Sequence, residues 1–190
     1  MNAYIDTGGH YRTLDMTVLM TPDTANFSGN VHGGHILKLL DQVAFACASR
    51  YSSSYVVTVS VDQVVFHERI HVGELVTFIA SVNYTGKSSM EIGIRVVAEH
   101  ITERSERHVL TCYFTMVAVD AEGNPKPIDP VPIDTPEQRR RFAAAQLRRE
   151  FRKEIEVRSL EIRQHPEEML SGLEQGSHES HVDANSKAPE

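Results

Sequence analysis

The sequence predicts an α+β fold in which a curved antiparallel sheet wraps around one central helix. Residues 34–49 are apolar around much of a helical circumference, which is typical of a helix that is covered on most sides. Four strand-like runs follow it, over 55–66, 75–84, 88–100 and 109–119, and a first strand over 13–20 precedes it. Short turns separate the later runs, and short connections between consecutive strands favour antiparallel pairing.

The chain is long enough for one compact domain and a C-terminal extension. It has 190 residues, of which 41% are hydrophobic and 24% charged. We assign the compact domain to residues 1–134. Thr135 followed by Pro136 is typical of a helix start, so a charged helix is predicted over 135–165. We expect its apolar stripe to dock on the domain or on a partner subunit. The acidic tail, 166–190, is predicted to be disordered.

Charge and composition limit the partners that we expect. The net charge is −7, and the tail contributes −5 of it, since one lysine stands there against six acidic residues. The remaining body is nearly neutral, which disfavours nonspecific nucleic-acid binding but allows an anionic ligand. No signal-peptide pattern and no run of membrane-spanning length are present, so we expect a cytoplasmic protein with no membrane partner. Cys47 and Cys112 lie in apolar runs and are predicted to be buried free thiols.

The most informative segment runs from Asn30 to Asp41. Gly33 and Gly34 open the apolar helix, where free backbone N–H groups and close approach are available to a ligand. Asp41 lies two turns inside the apolar run, and an acid in such surroundings costs free energy unless it has a purpose. This combination indicates an acyl-transfer or hydrolysis site. The competing interpretation of Asp41 is a residue on a solvated helix face.

Two other patterns in the sequence partly match known ligand sites. His32 and His35 flank the glycines, but no third ligand follows at a matching spacing, so no metal is expected and His35 is assigned to the lining of the helix start. Gly86, Lys87 and Ser88 superficially match a nucleotide-binding loop. That loop needs a glycine five positions earlier, where Ser81 stands, so a nucleotide hydrolase is excluded.

The motifs together resemble the hotdog-fold acyl-CoA thioesterases, in the acyl-CoA hydrolase branch that includes bacterial broad-range and brain-type enzymes. The similarity is carried by Asn26, by residues 29–34 and by Asp41. Downstream, it continues through further segments, 59–66, 72–76, 85–90 and 116–120. Two departures are His32, which affects pocket shape, and the pair Arg69-Ile70, where a proline-containing turn is common.

The resemblance implies dimers whose sheets join edge to edge, often assembled into trimers of dimers, with active sites at the dimer interface. It places the catalytic carboxylate on Asp41 and the partnering amide on Asn26. It implies acyl-CoA as substrate and no cofactor, since coenzyme A is part of the substrate. Substrate-binding residues are then expected in two groups, Gly33, Gly34 and His35 at the helix start, and Gly86, Lys87 and Ser88 near a coenzyme A phosphate. The competing interpretation of Lys87 is a solvated lysine in a hairpin turn.

Thioester hydrolysis needs a polarised carbonyl and an activated water or nucleophile. Helix N–H groups supply the first, and Asp41 supplies the second as general base or as nucleophile. Gly34 and Asp41 are about 10 Å apart along one helix, so one short aspartate cannot easily serve its own helix start. We therefore predict a composite site across a two-fold axis.

Two other functions fit parts of the pattern. A hotdog hydratase would pair a histidine with an acid, but the helix has no histidine after His35. A non-catalytic acyl-CoA sensor would need a DNA-binding segment, for which the arginine-rich C-terminal helix is the only candidate. Hydrolysis of acyl-CoA to a carboxylic acid and coenzyme A is the leading prediction.

Overall fold

The computed structural model describes residues 10–164 and 166. After a 3-10 turn at His10–Arg12, the elements are β1 (Thr13–Leu19), a 3-10 turn (Pro22–Thr24), α1 (Gly33–Ser52), β2 (Tyr55–Val61), β3 (Leu75–Thr85), β4 (Ser89–His100), β5 (Ser105–Val119) and α2 (Pro136–Gln164). The predicted fold class is confirmed. The chain divides after Ala145 into two compact units. The domain boundary predicted after residue 134 stays a prediction.

The five strands form one antiparallel sheet in the order β1-β3-β4-β5-β2. β2 therefore lies at the edge opposite β1, paired with β5 and not with the strand that follows it. The run predicted over 55–66 ends as a strand at Val61, and the chain then crosses to β3 without regular structure over 62–74. β5 begins at Ser105, four residues earlier than predicted, because Arg104 adopts a positive φ of 53° and closes the turn tightly.

The core lies between α1 and the inner face of the sheet. One stripe of the helix is buried, consisting of Ile36, Leu40, Val43, Ala44, Cys47 and Ala48. It packs against alternating strand residues that include Phe78, Ile92, Ile94, Phe114 and Met116. The prediction that α1 is covered on most sides is wrong for the single chain, since Leu37 is 43% and Phe45 38% exposed. The sheet covers only one side of the helix.

Both cysteines are buried free thiols, as predicted. Burial raises the pKa of Cys47 and of Cys112 to about 12 in each case. A thiol with such a pKa is not deprotonated near neutral pH, so neither residue is a nucleophile.

A polar network lies on the outer face of the sheet, beneath the first turns of α2. Ser81, Asn83 and Glu91 are 6%, 4% and 2% exposed, and the Ser81 hydroxyl donates to the Asn83 side-chain oxygen (2.9 Å). Arg141 of α2 donates to the Ser81 hydroxyl (3.0 Å). A Cβ atom at Gly93 would lie 2.3 Å from Asn83 Nδ2, so the network needs glycine at that position.

α2 begins where the sequence predicts. The Gln138 N–H donates to Thr135 Oγ1 (3.2 Å), and Gln138 Oε1 accepts from the Thr135 N–H (3.0 Å), which is a capping box. In the second unit, Leu147, Phe151 and Ile155 leave the predicted apolar stripe about half exposed. Among the residues described, no helix is long and apolar enough to cross a membrane. The acidic tail falls almost entirely outside the described residues.

Candidate active site

The start of α1 offers one backbone donor that is not already used. His32 caps the helix, and its Nδ1 accepts the Gly34 N–H at 2.9 Å. Within the described part of the chain, the Gly33 N–H has no hydrogen-bond partner. A Cβ atom at Gly33 would meet only the Phe66 ring, at 3.8 Å. The sequence leaves the choice between the two glycines open, and in the structure Gly33 is the donor that remains available.

Asn26 lies in the tight loop before α1, and its side chain has a fixed orientation. Its Oδ1 atom accepts the N–H groups of Ser28 (2.8 Å) and Asn30 (3.2 Å). Gly29 closes the turn with a φ of +77°, a conformation that favours glycine. Because the oxygen is identified by two N–H donors, the amide nitrogen is the atom left over. Asn26 therefore presents hydrogen-bond donors to a ligand.

Asn26 and Gly33 line the same cavity, which has a volume of about 370 Å³. Its apolar wall includes Val31, Ile36 and Phe66, and Glu68 and Arg69 supply charged groups. A cavity of this size with a few convergent donors is typical of a small-molecule site. It brings together two of the residues that the sequence singled out.

Asp41 lies on a different surface of the same helix. Its Oδ1 accepts a hydrogen bond from Thr58 Oγ1 of β2 at 2.7 Å, and the carboxylate is exposed in the single chain. Leu37 and Phe45, one turn to either side of it, are both partly exposed. Phe45 also contacts the edge of the Tyr55 ring, with centroids 5.6 Å apart. Asp41 thus has the apolar neighbours that the sequence predicts, but in the single chain these neighbours are exposed to solvent.

Thr58 contacts Asp41, but its sequence pattern does not indicate a site residue. It lies two positions after the buried Val56, just before a register shift between Thr58 and Ser60. A hydroxyl at an inward-facing position beside a helix is the signal that could have identified it. In a run rich in valine and threonine, that signal is indistinguishable from ordinary strand composition.

The cavity and Asp41 do not meet within one chain. Asp41 does not line the cavity. It stands eight residues beyond Gly33, about 12 Å along the helix axis. The helix start lies beside the first residues of β3, since Asn30 bridges to His71 and Leu19 pairs with Leu75. Asp41 instead faces Thr58.

The turn formed by Gly86, Lys87 and Ser88 joins β3 to β4 at the end of the sheet away from the cavity. The turn lies at the same end of the sheet as Asp41. The strand register shows this, because Thr85 pairs with Met90, Met90 with Met116 and Met116 with Thr58. The Lys87 carbonyl accepts the Ile128 N–H (3.0 Å), and Lys87 is an exposed residue. His35 is half-buried on the first turn of α1 and does not line the cavity.

Comparison with known proteins identifies the family. Residues 28–105 match the Thioesterase superfamily. Protein VdlD of Helicobacter pylori is 46% identical over 148 residues, which is 78% of this chain and 84% of that protein. The structure of a hexameric acyl-CoA thioesterase superposes with a TM-score of 0.73 at 34% identity, covering 75% of this chain and 91% of that one. The chain belongs to the acyl-CoA thioesterases.

A second structural relative of this thioesterase was solved with ligands. The acyl-CoA hydrolase of Staphylococcus aureus, in complex with butyryl coenzyme A, coenzyme A and coenzyme A disulfide, has a TM-score of 0.73 at 26% identity. It covers 80% of this chain and 93% of its own. Structures of that enzyme also exist with alanine in place of an asparagine, an aspartate and a threonine.

An ion pair between a buried glutamate and a partly exposed arginine lies behind the cavity wall of the thioesterase. Arg107 of β5 donates to both Glu74 oxygens at 2.8 Å, and Glu74 is 2% exposed. Burial by itself raises the pKa of Glu74. The hydrogen bonds from Arg107 and from the His71 N–H outweigh that effect and hold the pKa below its ordinary value. Glu74 is therefore ionised near neutral pH.

No group of three metal-ligating side chains comes together among the residues that the structure describes. The rings of His67 and His108 are 5.9 Å apart, and one hydrogen bond of 2.8 Å joins His108 Nε2 to Thr111 Oγ1. Neither histidine lines the cavity.

Proposed function

We propose that this acyl-CoA thioesterase hydrolyses its substrate at a composite site across the two-fold axis of a dimer. In this site, the Gly33 N–H and the Asn26 amide of one subunit bind the thioester oxygen. Asp41 of the other subunit activates the water or attacks the carbonyl. The observation that carries the proposal is the arrangement within one chain: two donors line one cavity, and the only carboxylate predicted to be catalytic faces elsewhere.

The two donors suit the charge that develops during the reaction. Attack on the thioester carbon moves negative charge to the carbonyl oxygen, and donors that are already in place stabilise it without reorganisation. Gly33 contributes a helix N-terminal N–H, which also carries the favourable end of the helix dipole. Collapse of the intermediate breaks the C–S bond, and coenzyme A leaves as a thiolate that takes up a proton.

Asp41 suits the role of base because its orientation is fixed. The 2.7 Å bond from Thr58 holds one carboxylate oxygen and leaves the other free to accept a proton from water. In the Staphylococcus aureus hydrolase, the asparagine, aspartate and threonine replaced by alanine are 15 and 17 residues apart in sequence. Asn26, Asp41 and Thr58 have the same intervals. This match supports assigning the three residues to one site.

The edge strand β2 supplies a surface for the dimer. Tyr55 is 65%, Val59 61% and Val61 45% exposed along an edge that has no partner strand among the described residues. A long apolar edge of this kind is covered in a stable protein. A second copy would join the two sheets there and cover Leu37 and Phe45 as well. The hexameric relative supports further assembly into trimers of dimers.

Coenzyme A enters as part of the substrate, and the proposal requires no other cofactor. Lys87 is the candidate for a phosphate of coenzyme A, because its ammonium is exposed on the Asp41 side of the sheet. The buried free thiols Cys47 and Cys112 support a location in the reducing cytoplasm.

The test is release of free coenzyme A from acyl-CoA esters ranging from acetyl to palmitoyl. We expect turnover by the wild type and a loss of about 10²- to 10⁴-fold in kcat for Asp41→Asn, since the amide cannot act as a base. Asp15→Asn makes the same chemical change on exposed strand β1 and should keep wild-type rates. Binding of the esters without hydrolysis by the wild type would instead favour the sensor.

A further inference from the structure

One wall of the cavity has no regular structure to support it. Phe66, Glu68, Arg69 and Ile70 line the cavity, and all four belong to the irregular crossing between β2 and β3. Two backbone hydrogen bonds hold this wall, from the His67 N–H to the Val109 carbonyl (3.0 Å) and from the Val31 N–H to the Ile70 carbonyl (2.9 Å). A segment held by so few bonds needs further contacts to keep one shape.

Glu74 and Arg107 supply those contacts. Besides its two bonds to Glu74, the Arg107 guanidinium donates to the carbonyl of Arg69, a wall residue. The second Glu74 oxygen also accepts the His71 N–H at 2.8 Å, immediately after the wall. The pair therefore joins β5 and the start of β3 to both ends of the segment 69–71.

We propose that Glu74 and Arg107 are positioning residues that fix the substrate-cavity wall and thereby set the affinity for acyl-CoA. The inference rests on the proposed function, because it takes this cavity to be the substrate site. Neither residue lines the cavity, so the pair acts through Arg69, Ile70 and Phe66. Asp41 and Thr58 belong to α1 and β2, and the hydrogen bonds of the pair go to residues 69 and 71 and not to them. The expected effect is thus on binding and not on the chemical step.

The same geometry ranks three substitutions by how many of these hydrogen bonds each one removes. Arginine presents its donors in a flat fork, and here the fork serves two carboxylate oxygens and a carbonyl at once. Lysine carries the same charge on a single nitrogen and cannot reproduce this pattern. Glutamine at position 74 keeps the shape but loses the charge. Arg107→Lys and Glu74→Gln are therefore mild variants, and Arg107→Met is the severe one.

The experiment measures kcat and KM for coenzyme A release with Arg107→Met, Arg107→Lys and Glu74→Gln, together with the melting temperature of each variant. We expect KM to rise about tenfold in Arg107→Met and less in the two mild variants, with kcat changed less than about twofold. Arg158→Met removes an exposed ion pair with Glu154 in the second unit and should leave both parameters unchanged. If Arg107→Met does not fold, the mild variants carry the test.

The outcomes separate the two proposals. An unchanged KM in variants that fold, whether or not their melting temperature falls, would show a purely structural pair and overturn the inference. A fall in kcat at constant KM would also overturn it, because the pair would then act on the chemical step. A wild-type protein that hydrolyses no acyl-CoA ester would overturn the proposed function itself. If the wild type is active, the KM values of the variants test only the role of the ion pair.

Discussion

The side-chain amide of Asn26 faces the cavity with only one kind of hydrogen bond to offer. Two loop N–H groups occupy its oxygen, so the remaining atom is a donor and cannot accept a proton from water. The sequence alone allows Asn26 either to orient water or to hold the carbonyl. The loop geometry supports the second role. An aspartate at this position would bring a negative charge to the oxygen that the site has to stabilise.

Thr58 is expected to matter through one hydrogen bond to Asp41. Thr58→Val keeps the shape and removes the hydroxyl, so the carboxylate loses its 2.7 Å anchor. We expect kcat for acyl-CoA hydrolysis to fall about tenfold, since a misoriented base transfers protons less efficiently. Thr58→Ser keeps the hydroxyl and should retain most of the rate. Equal rates for the valine and serine variants would rule out this role.

The sequence indicates some of the site residues and not others. Asp41 is indicated by its pattern, because a carboxylate inside an apolar helix is unusual, whereas Asn26 is indicated only by the resemblance to the thioesterase family. Thr58 carries no such contrast, and Phe66 and Arg69 line the cavity only because an irregular segment folds back toward Gly33. Contacts between residues 30 or more positions apart depend on tertiary structure, which local pattern does not specify.

At the scale of elements, β3 and β4 are joined by a close approach on their outer face. Gly93→Ala would place a methyl group against Asn83 Nδ2. The Asn83 side chain cannot move away without breaking two hydrogen bonds, from its Nδ2 to Glu91 and from the Ser81 hydroxyl to its Oδ1. We expect a loss of about 1 to 3 kcal/mol in the free energy of unfolding. Urea denaturation at fixed protein concentration measures it.

The matched change Gly33→Ala meets only the Phe66 ring, at an ordinary contact distance of 3.8 Å. It should alter the stability by less than about 0.5 kcal/mol. A Gly93→Ala protein as stable as the wild type would mean that the outer polar network adapts freely.

The elements themselves were largely predictable. Periodicity gave α1, β3 and β4 within a few residues, and the Thr135-Pro136 signal gave the start of α2. The errors have a common cause. β2 ends early and pairs across the sheet with β5, and α1 is covered on one side only, because both features depend on which strands become neighbours.

At the scale of the whole molecule, the composite site makes a strong prediction about mixed dimers. Asn26→Ala and Asp41→Asn each disable one half of the site, so each homodimer should be nearly inactive. When the two chains are coexpressed, half of the dimers are mixed, and each mixed dimer has one intact site out of two. We expect about a quarter of the wild-type activity to return.

Coexpression with a different affinity tag on each chain, and two successive affinity steps, allows oligomers that contain both chains to be purified and assayed. A mixture no more active than its parents would place Asn26 and Asp41 of the same chain in one site. That result would contradict the composite arrangement, even if both residues proved essential.

The pairing of β2 with the last strand, β5, also constrains how the chain acquires its structure during synthesis. β2 is complete at Val61, but its partner β5 ends at Val119. Residues up to and beyond Val119 must therefore leave the ribosome before β2 can pair with β5. Until then, the valine-rich strand is exposed to other chains. Truncation before Val119 should yield a product that aggregates, however intact its helix and first hairpin are.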